Sequence, residues 1–166
     1  MTPEQKFSYH YLEMMKVCNE QEWGDPFSYA RAKEIYMANE LGHRVASTLS
    51  GADGYNKTGQ PVEYKSTIAK SVKGTYNGIS VQDSWSEQES YLLNNKLGCY
   101  PEHFISRFDR ETGKIEELWM LTGDKVCDIL IPKLSAKFPT VRSKKDPRLG
   151  ANITKKEIHE HGKRIK

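Results

Sequence analysis

The chain predicts an α+β fold, on three observations. Apolar residues near the N-terminus recur at helical spacing, the middle carries short β-prone segments set off by glycines, and capping boxes mark helix starts in the second half. A length of 166 residues suffices for one domain with a real core, and nine tyrosines and three tryptophans argue for a packed globule rather than disorder. No internal repeat, low-complexity tract or long linker divides the chain, so a single domain is expected over 1–166.

Each element has its own signal. From Glu4 to about Glu22 the residues Phe7, Tyr11, Met14, Met15 and Cys18 fall three or four apart and form one apolar helical stripe. Asp25 as N-cap and Pro26 at the first helical position predict a second helix to about Leu41, stopped at Gly42, with Ile35, Met37, Ala38 and Leu41 facing the core. Strands follow over Arg44 to about Thr48, Val62 to Ile68 and Thr75 to Val81, punctuated by Gly51, Gly54, Gly59 and Gly74. A helix from Ser84 to about Leu97 is capped by Ser84 or Ser86, since Ser86-Glu-Gln-Glu89 matches a capping box. Two β-like runs, His103 to Phe108 and Lys114 to Leu121, flank the turn Asp109-Arg-Glu-Thr-Gly113. A short helix from Asp124 to Ile131 is expected to end at Pro132, and Thr154-Lys-Lys-Glu157 opens a last helix that Gly162 closes.

The chemistry concentrates in Asp53-Gly-Tyr-Asn-Lys-Thr-Gly-Gln-Pro-Val-Glu63-Tyr64-Lys65-Ser66. On a strand, Glu63 and Lys65 share one face while Val62, Tyr64 and Ser66 take the other. The intervening Asn56 to Gln60 is turn-forming, with Gly59 free to take positive φ, so Asp53 is expected to return near Glu63 across a hairpin. Two carboxylates with an ammonium beside them suit a hard divalent cation that polarises a phosphodiester and activates water. The plain alternative is an exposed strand whose charges pair across the sheet.

The same residues carry a resemblance. Asp53, nine intervening residues with Gly59-Gln60 among them, and Glu63-Tyr64-Lys65-Ser66 are similar to the site of the PvuII-like type II restriction endonucleases, in the PD-(D/E)xK nuclease superfamily. Lys73-Gly74, Asp25, Phe27, Gly42 and the ending Glu160-His161-Gly162-Lys163 with Ile165 extend the likeness from about Asp25 to the C-terminus. It implies a PD-(D/E)xK restriction-endonuclease-like core with a central mixed β-sheet flanked by helices. It also implies magnesium-dependent (manganese can substitute), sequence-specific double-strand cleavage of DNA that leaves a 5′-phosphate, by a homodimer whose contact involves the N-terminal region 1–42. Asp53, Glu63 and Lys65 become the catalytic residues. Asp53, Glu63 and the Tyr64 carbonyl become metal ligands. The region 43–134 would then be the catalytic core and 135–166 a basic extension.

The departures matter equally. The family carries consecutive histidines on the strand after the site, where this chain has Tyr76-Asn77-Gly78-Ile79-Ser80-Val81-Gln82, and Ala52 stands where the superfamily often has proline. If that strand enters the major groove, Asn77, Ser80 and Gln82 read base edges, with Lys73 and Tyr76 as further DNA contacts through phosphate or stacking. The alternative is an ordinary exposed hairpin, broken by the turn signal Asn77-Gly78. For a fourth acid Glu34 and Glu40 are candidates, and both also suit an exposed helix face.

Charge and cysteine usage narrow the classes. The net charge is only +3, but ten Lys or Arg stand against three acids from Lys137 to Lys166, which suits a polyanion or, equally for Arg142 to Arg148, a solvated basic tail. Cys18, Cys99 and Cys127 are widely spaced and odd in number, which suits reduced thiols, and the five histidines form no zinc pattern. With no long apolar run and no apolar leader core, a cytoplasmic protein without a membrane partner is expected. Two competing functions share these features: a structure-selective nuclease of the same superfamily, such as a Holliday-junction resolvase or repair enzyme, and a non-catalytic DNA-binding protein.

Overall fold

The computed structural model of the chain describes residues 1–47 and 51–166, which divide into two compact units, Met1–Gln60 and Pro61–Lys166. In the first unit, helix α1 (Pro3–Glu20) opens with a capping box in which Thr2 and Gln5 exchange hydrogen bonds of 3.2 and 2.8 Å. Its apolar stripe is mostly uncovered: Cys18 is buried, whereas Phe7 is 71% exposed, and Tyr11 and Met14 also face outward. Tyr11 stacks on Phe27 at 5.0 Å.

Helix α2 (Arg31–Leu41) starts five residues later than Pro26 suggests. Asp25 does cap, but it caps a turn: its carboxylate accepts from the Phe27 N–H at 2.9 Å and the Ser28 hydroxyl at 2.7 Å, and Tyr29 takes φ +52. Such an Asx turn satisfies locally the groups that a helix would otherwise use. Gly42 ends α2 in the left-handed region at φ 66, as its position predicts. Met37 and Ala38 are buried, while Ile35 and Leu41 are half-buried. Strands β1 (Arg44–Val45) and β2 (Gly54–Tyr55) pair antiparallel; β1 stops at Val45, short of Ala46 and Ser47, and its expected end at Thr48 lies outside the described residues.

The second unit is built on a mixed sheet. Strand β3 (Pro61–Thr67) runs parallel to β5 (Glu102–Phe108), β5 antiparallel to β6 (Ile115–Thr122), and β6 antiparallel to β8 (Lys163–Arg164). Strands β4 (Gly74–Ser80) and β7 (Arg148–Ile153) form a separate antiparallel ribbon. Helices α3 (Trp85–Tyr91), α4 (Gly123–Arg142) and α5 (Lys155–His161) flank these sheets, so the architecture is α+β with a mixed central sheet. Leu92, Ile105, Leu121, Leu130, Leu149 and Ile153, each fully buried, lie in one core that takes side chains from both sheets and from α3, α4 and α5.

Three expectations change here. The capping box of α3 is Ser84 with Glu87 rather than Ser86 with Glu89, and after Tyr91 the helix widens into a π turn, Leu92–Lys96. Helix α4 does not stop at Pro132 but runs 20 residues through Pro132 and Pro139. Each internal proline costs about 3 kcal/mol. The buried face Val126, Leu130, Leu134 and Phe138, at roughly 2 kcal/mol per large apolar side chain, outweighs that. Finally, the basic C-terminal stretch is folded beyond Arg148, because Leu149, Ala151 and Ile153 of β7 are buried against β4, while Arg142 to Asp146 are exposed. Their period-2 pattern is present in the sequence but masked by the surrounding charge. Among the described residues no helix is long and apolar enough to cross a membrane.

Candidate active site

Strand β3 keeps strict alternation where the chemistry was expected. Val62 and Tyr64 are buried, and Tyr64 meets Phe104 edge-on at 6.1 Å. Glu63 and Lys65 therefore share the other face, and Lys65 Nζ donates to Glu63 Oε1. Both are mostly enclosed, with Glu63 14% and Lys65 24% exposed, so the pair is less screened than a surface ion pair. Beyond it lies a cavity of about 130 Å³ lined also by Asn77, Gly78, Lys96 and Leu97.

Beneath the pair is a buried polar column that no local sequence pattern announces. Lys65 Nζ lies 5.0 Å from the centre of the Tyr76 ring, a cation–π distance. The Tyr76 hydroxyl is 3.0 Å from His103 Nδ1, and His103 Nε2 is 2.9 Å from the Leu97 carbonyl. A carbonyl only accepts, so Nε2 carries the proton, Nδ1 accepts, and Tyr76 donates. Burial holds the His103 pKa down to about 4, the Leu97 carbonyl partly offsetting this and the Lys65 charge adding to it. His103 is thus a neutral strut, on β5 directly beside Glu63 in the strand register.

Of the residues expected to contact DNA, Tyr76 is the least accessible. It is only 4% exposed and its hydroxyl donates to His103, which leaves its ring edge at the cavity as the part it presents outward. The other candidates on this stretch are accessible. Lys73 and Asn77 are exposed, and Ser80 and Gln82 are half-buried.

The turn signal at Asn77-Gly78 acts as a bulge rather than a break. Pairing with β7 shifts register between Tyr76 and Ile79, and Gly78 takes φ +66, a conformation that side chains rarely adopt. Without a bulge, Asn77 and Ser80 would point to opposite faces. The extra residue puts both on the outer face, beside Thr75. Across the ribbon stand Asn152, paired with Thr75, and Arg148, which pairs with Ser80 and donates to its hydroxyl at 3.1 Å. The sequence marks Arg148 only as part of the basic stretch and does not mark Asn152, because the strand carrying them is hidden there. Gln82 follows the strand, where its backbone N–H donates to the buried Gln88 side chain at 2.8 Å.

Asp53 belongs to the first unit, half-buried at the entry to β2, where its carbonyl accepts from the Ala46 N–H at 3.1 Å. The expected turn after it is present. The Asn56 carboxamide oxygen accepts from the Thr58 and Gln60 N–H groups at 3.1 and 2.9 Å, and Gly59 takes φ +81. Of the fourth-acid candidates, Glu34 is bound to the buried Arg31 at 3.2 Å and Glu40 is an exposed helix-face residue. The basic stretch is partly engaged: Lys137 donates to the Gly150 carbonyl at 2.7 Å, and Arg148 sits 3.5 Å from Asp146.

The donor set at Glu63 fits a hard cation: a carboxylate facing a polar cavity, whose present partner is itself a cation. Burial pushes the Cys99 thiol up, the Tyr100 hydroxyl and the Lys96 charge partly offsetting this and the Glu63 charge adding to it. Among the described residues no group of three or more His, Cys, Asp or Glu converges. No protein-family model and no curated protein matches the chain.

Proposed function

We propose that the chain is a magnesium-dependent type II restriction endonuclease with a PD-(D/E)xK-type core, cutting both strands of DNA at a short palindromic site as a homodimer. The observation that carries this reading is the enclosed Glu63–Lys65 pair, on one face of a regular strand and beside a polar cavity that Asn77 of the β4–β7 ribbon also lines. Glu63 and, on the sequence pattern, Asp53 are the carboxylates assigned to magnesium, with the Tyr64 carbonyl as a further ligand and manganese as a substitute. The bound ion would supply polarisation of the phosphodiester and a more acidic water. Lys65, steadied by Glu63 and the Tyr76 ring, orients the attacking water and offsets charge that develops on the phosphate oxygens.

The polar outer face of the β4–β7 ribbon supports duplex binding, because a two-stranded ribbon fits the major groove. Its Asn77, Ser80, Arg148 and Asn152 are donors suited to base edges, and Lys73 to phosphate. The uncovered apolar stripe of α1 supports self-association. A plasmid digest with magnesium and end-mapping tests the assignment. Discrete bands with 5′-phosphate ends are expected. Cutting confined to four-way junctions would reassign the chain to structure-selective nucleases, and no cutting with magnesium or manganese would leave a non-catalytic DNA-binding protein.

A further inference from the structure

The cavity beside Glu63 and Lys65 has a second ammonium group on its rim, contributed by Lys96. The sequence offers no reason to single out this lysine, since it ends a helix that reads as ordinary. The structure places it through the π turn Leu92–Lys96, in which the Leu97 N–H reaches back to the Leu92 carbonyl at 2.7 Å. A π turn holds one residue more than an α turn and so re-aims the residues after it by about 100°. Lys96 and Leu97 thereby line the same cavity as Asn77 and Gly78, which the bulge of β4 brings to it. Two irregularities, one in a helix and one in a strand, meet at one pocket.

The charges in that pocket do not balance. Glu63 is already paired with Lys65. Lys96 makes no salt bridge among the described residues, and its ring contact is a distant one, 6.0 Å from the centre of Tyr91. The Asn77 amide likewise has no protein hydrogen-bond partner there. The pocket therefore offers an uncompensated ammonium and a free amide next to the proposed reaction centre. Its volume, about 130 Å³, exceeds several times the roughly 30 Å³ that a water occupies in the liquid. A lysine recognises a phosphate as a point charge, without the planar fork that reads a guanine edge.

We propose that Lys96 and Asn77 form a subsite for a backbone phosphate of DNA, holding a phosphodiester oxygen pair so that the scissile bond faces Glu63 and Lys65. This rests on the nuclease reading and adds a positioning group to it. Asn77 then serves the backbone as well as any base edge. Lys96 acts through placement of the substrate and not through proton transfer.

The test compares wild type, Lys96→Ala and Lys96→Arg by two readouts. The first is the salt dependence of binding to a short fluorescent duplex in calcium, and the second is single-turnover cutting of plasmid in magnesium. Loss of one phosphate contact in Lys96→Ala should reduce the slope of log K against log salt by about 1. It should slow single-turnover cutting by about 10- to 100-fold, as loss of a positioning group does. Lys96→Arg should restore the slope. A wild type that cuts alongside an equally fast Lys96→Ala with an unchanged slope overturns the Lys96 role alone, even if the variant melts at a lower temperature. A wild type that neither binds nor cuts duplex overturns the nuclease reading and this role with it.

Discussion

Strands β3 and β4 are both seven residues long, and they solve opposite problems. In β3 strict alternation holds two charges at a fixed separation on one face and anchors them by burying Val62 and Tyr64 beneath. In β4 a bulge at Gly78 breaks alternation and collects Asn77 and Ser80 on one outer face. Regularity suits chemistry, because a reacting pair must be held closely, whereas irregularity suits contact with an outside surface, because it re-aims side chains. The two strands belong to different sheets, and the Tyr76–His103 hydrogen bond joins β4 to the strand beside β3.

The largest effect that would sharpen this contrast is on β3. Glu63→Ala and Lys65→Ala should each reduce single-turnover cutting by about 1,000-fold or more, the scale of losing a group that stabilises transition-state charge. Circular dichroism and duplex binding should stay close to wild type, since neither side chain is part of the apolar core. If either variant cuts at normal speed, β3 carries an ordinary ion pair.

The joint between the strands gives the next effect, and its sign follows from His103. Its folded pKa, about 4, lies below the ordinary 6.5. Above pH 6.5 the native and unfolded chains bind no proton there, and the stabilisation is complete. As pH falls from 6.5 toward 4 the unfolded chain gains a proton that native His103 refuses, so stability is lost across that window. The full loss is about 3 kcal/mol, of which roughly 2 kcal/mol falls between pH 6.5 and 5. Urea unfolding should show this decline in wild type and a flatter profile in His103→Gln. Parallel profiles would mean that His103 titrates normally and the strut is not closed.

How much of this was legible in the sequence differs between the two strands for the same reason. The Glu63–Lys65 face follows from period 2 alone, and its turn from Asn56 and Gly59, so both were readable. The bulge was signalled by Asn77-Gly78, but whether such a pair turns a chain or kinks it depends on the partner strand, which is β7. That strand was hidden because Arg148 to Ile153 sits among charges, and its apolar alternation gains meaning only once β4 covers it. Pro132 misled in the same way: local preference ends a helix there, and a buried face three turns long overrides it. His103, Arg31 and Gln88 are buried polar groups that each bond to a group outside their own element, the Tyr76 hydroxyl, the Ala46 carbonyl and the Ser80 carbonyl, so periodicity within one element does not announce them.

The smallest expected effects lie on β4 and separate its two candidate uses. Asn77→Ala should weaken binding to the recognised site by about 1–3 kcal/mol if the amide reads a base, with little change on random duplex. Equal losses on both duplexes would assign Asn77 to the backbone alone, in line with its place beside Lys96. Gly78→Ala acts through geometry. At φ +66 there is open space for a methyl group, so the cost is backbone strain and not a clash, about 1 kcal/mol of stability. That strain is relieved if the bulge slips by one residue, which would turn Asn77 and Ser80 to opposite faces and pair β4 with β7 out of register. Gly78→Ala should therefore lose discrimination between specific and random duplex while retaining cutting by the untouched β3 pair. A variant that keeps full discrimination would show that the bulge does not set the reading face.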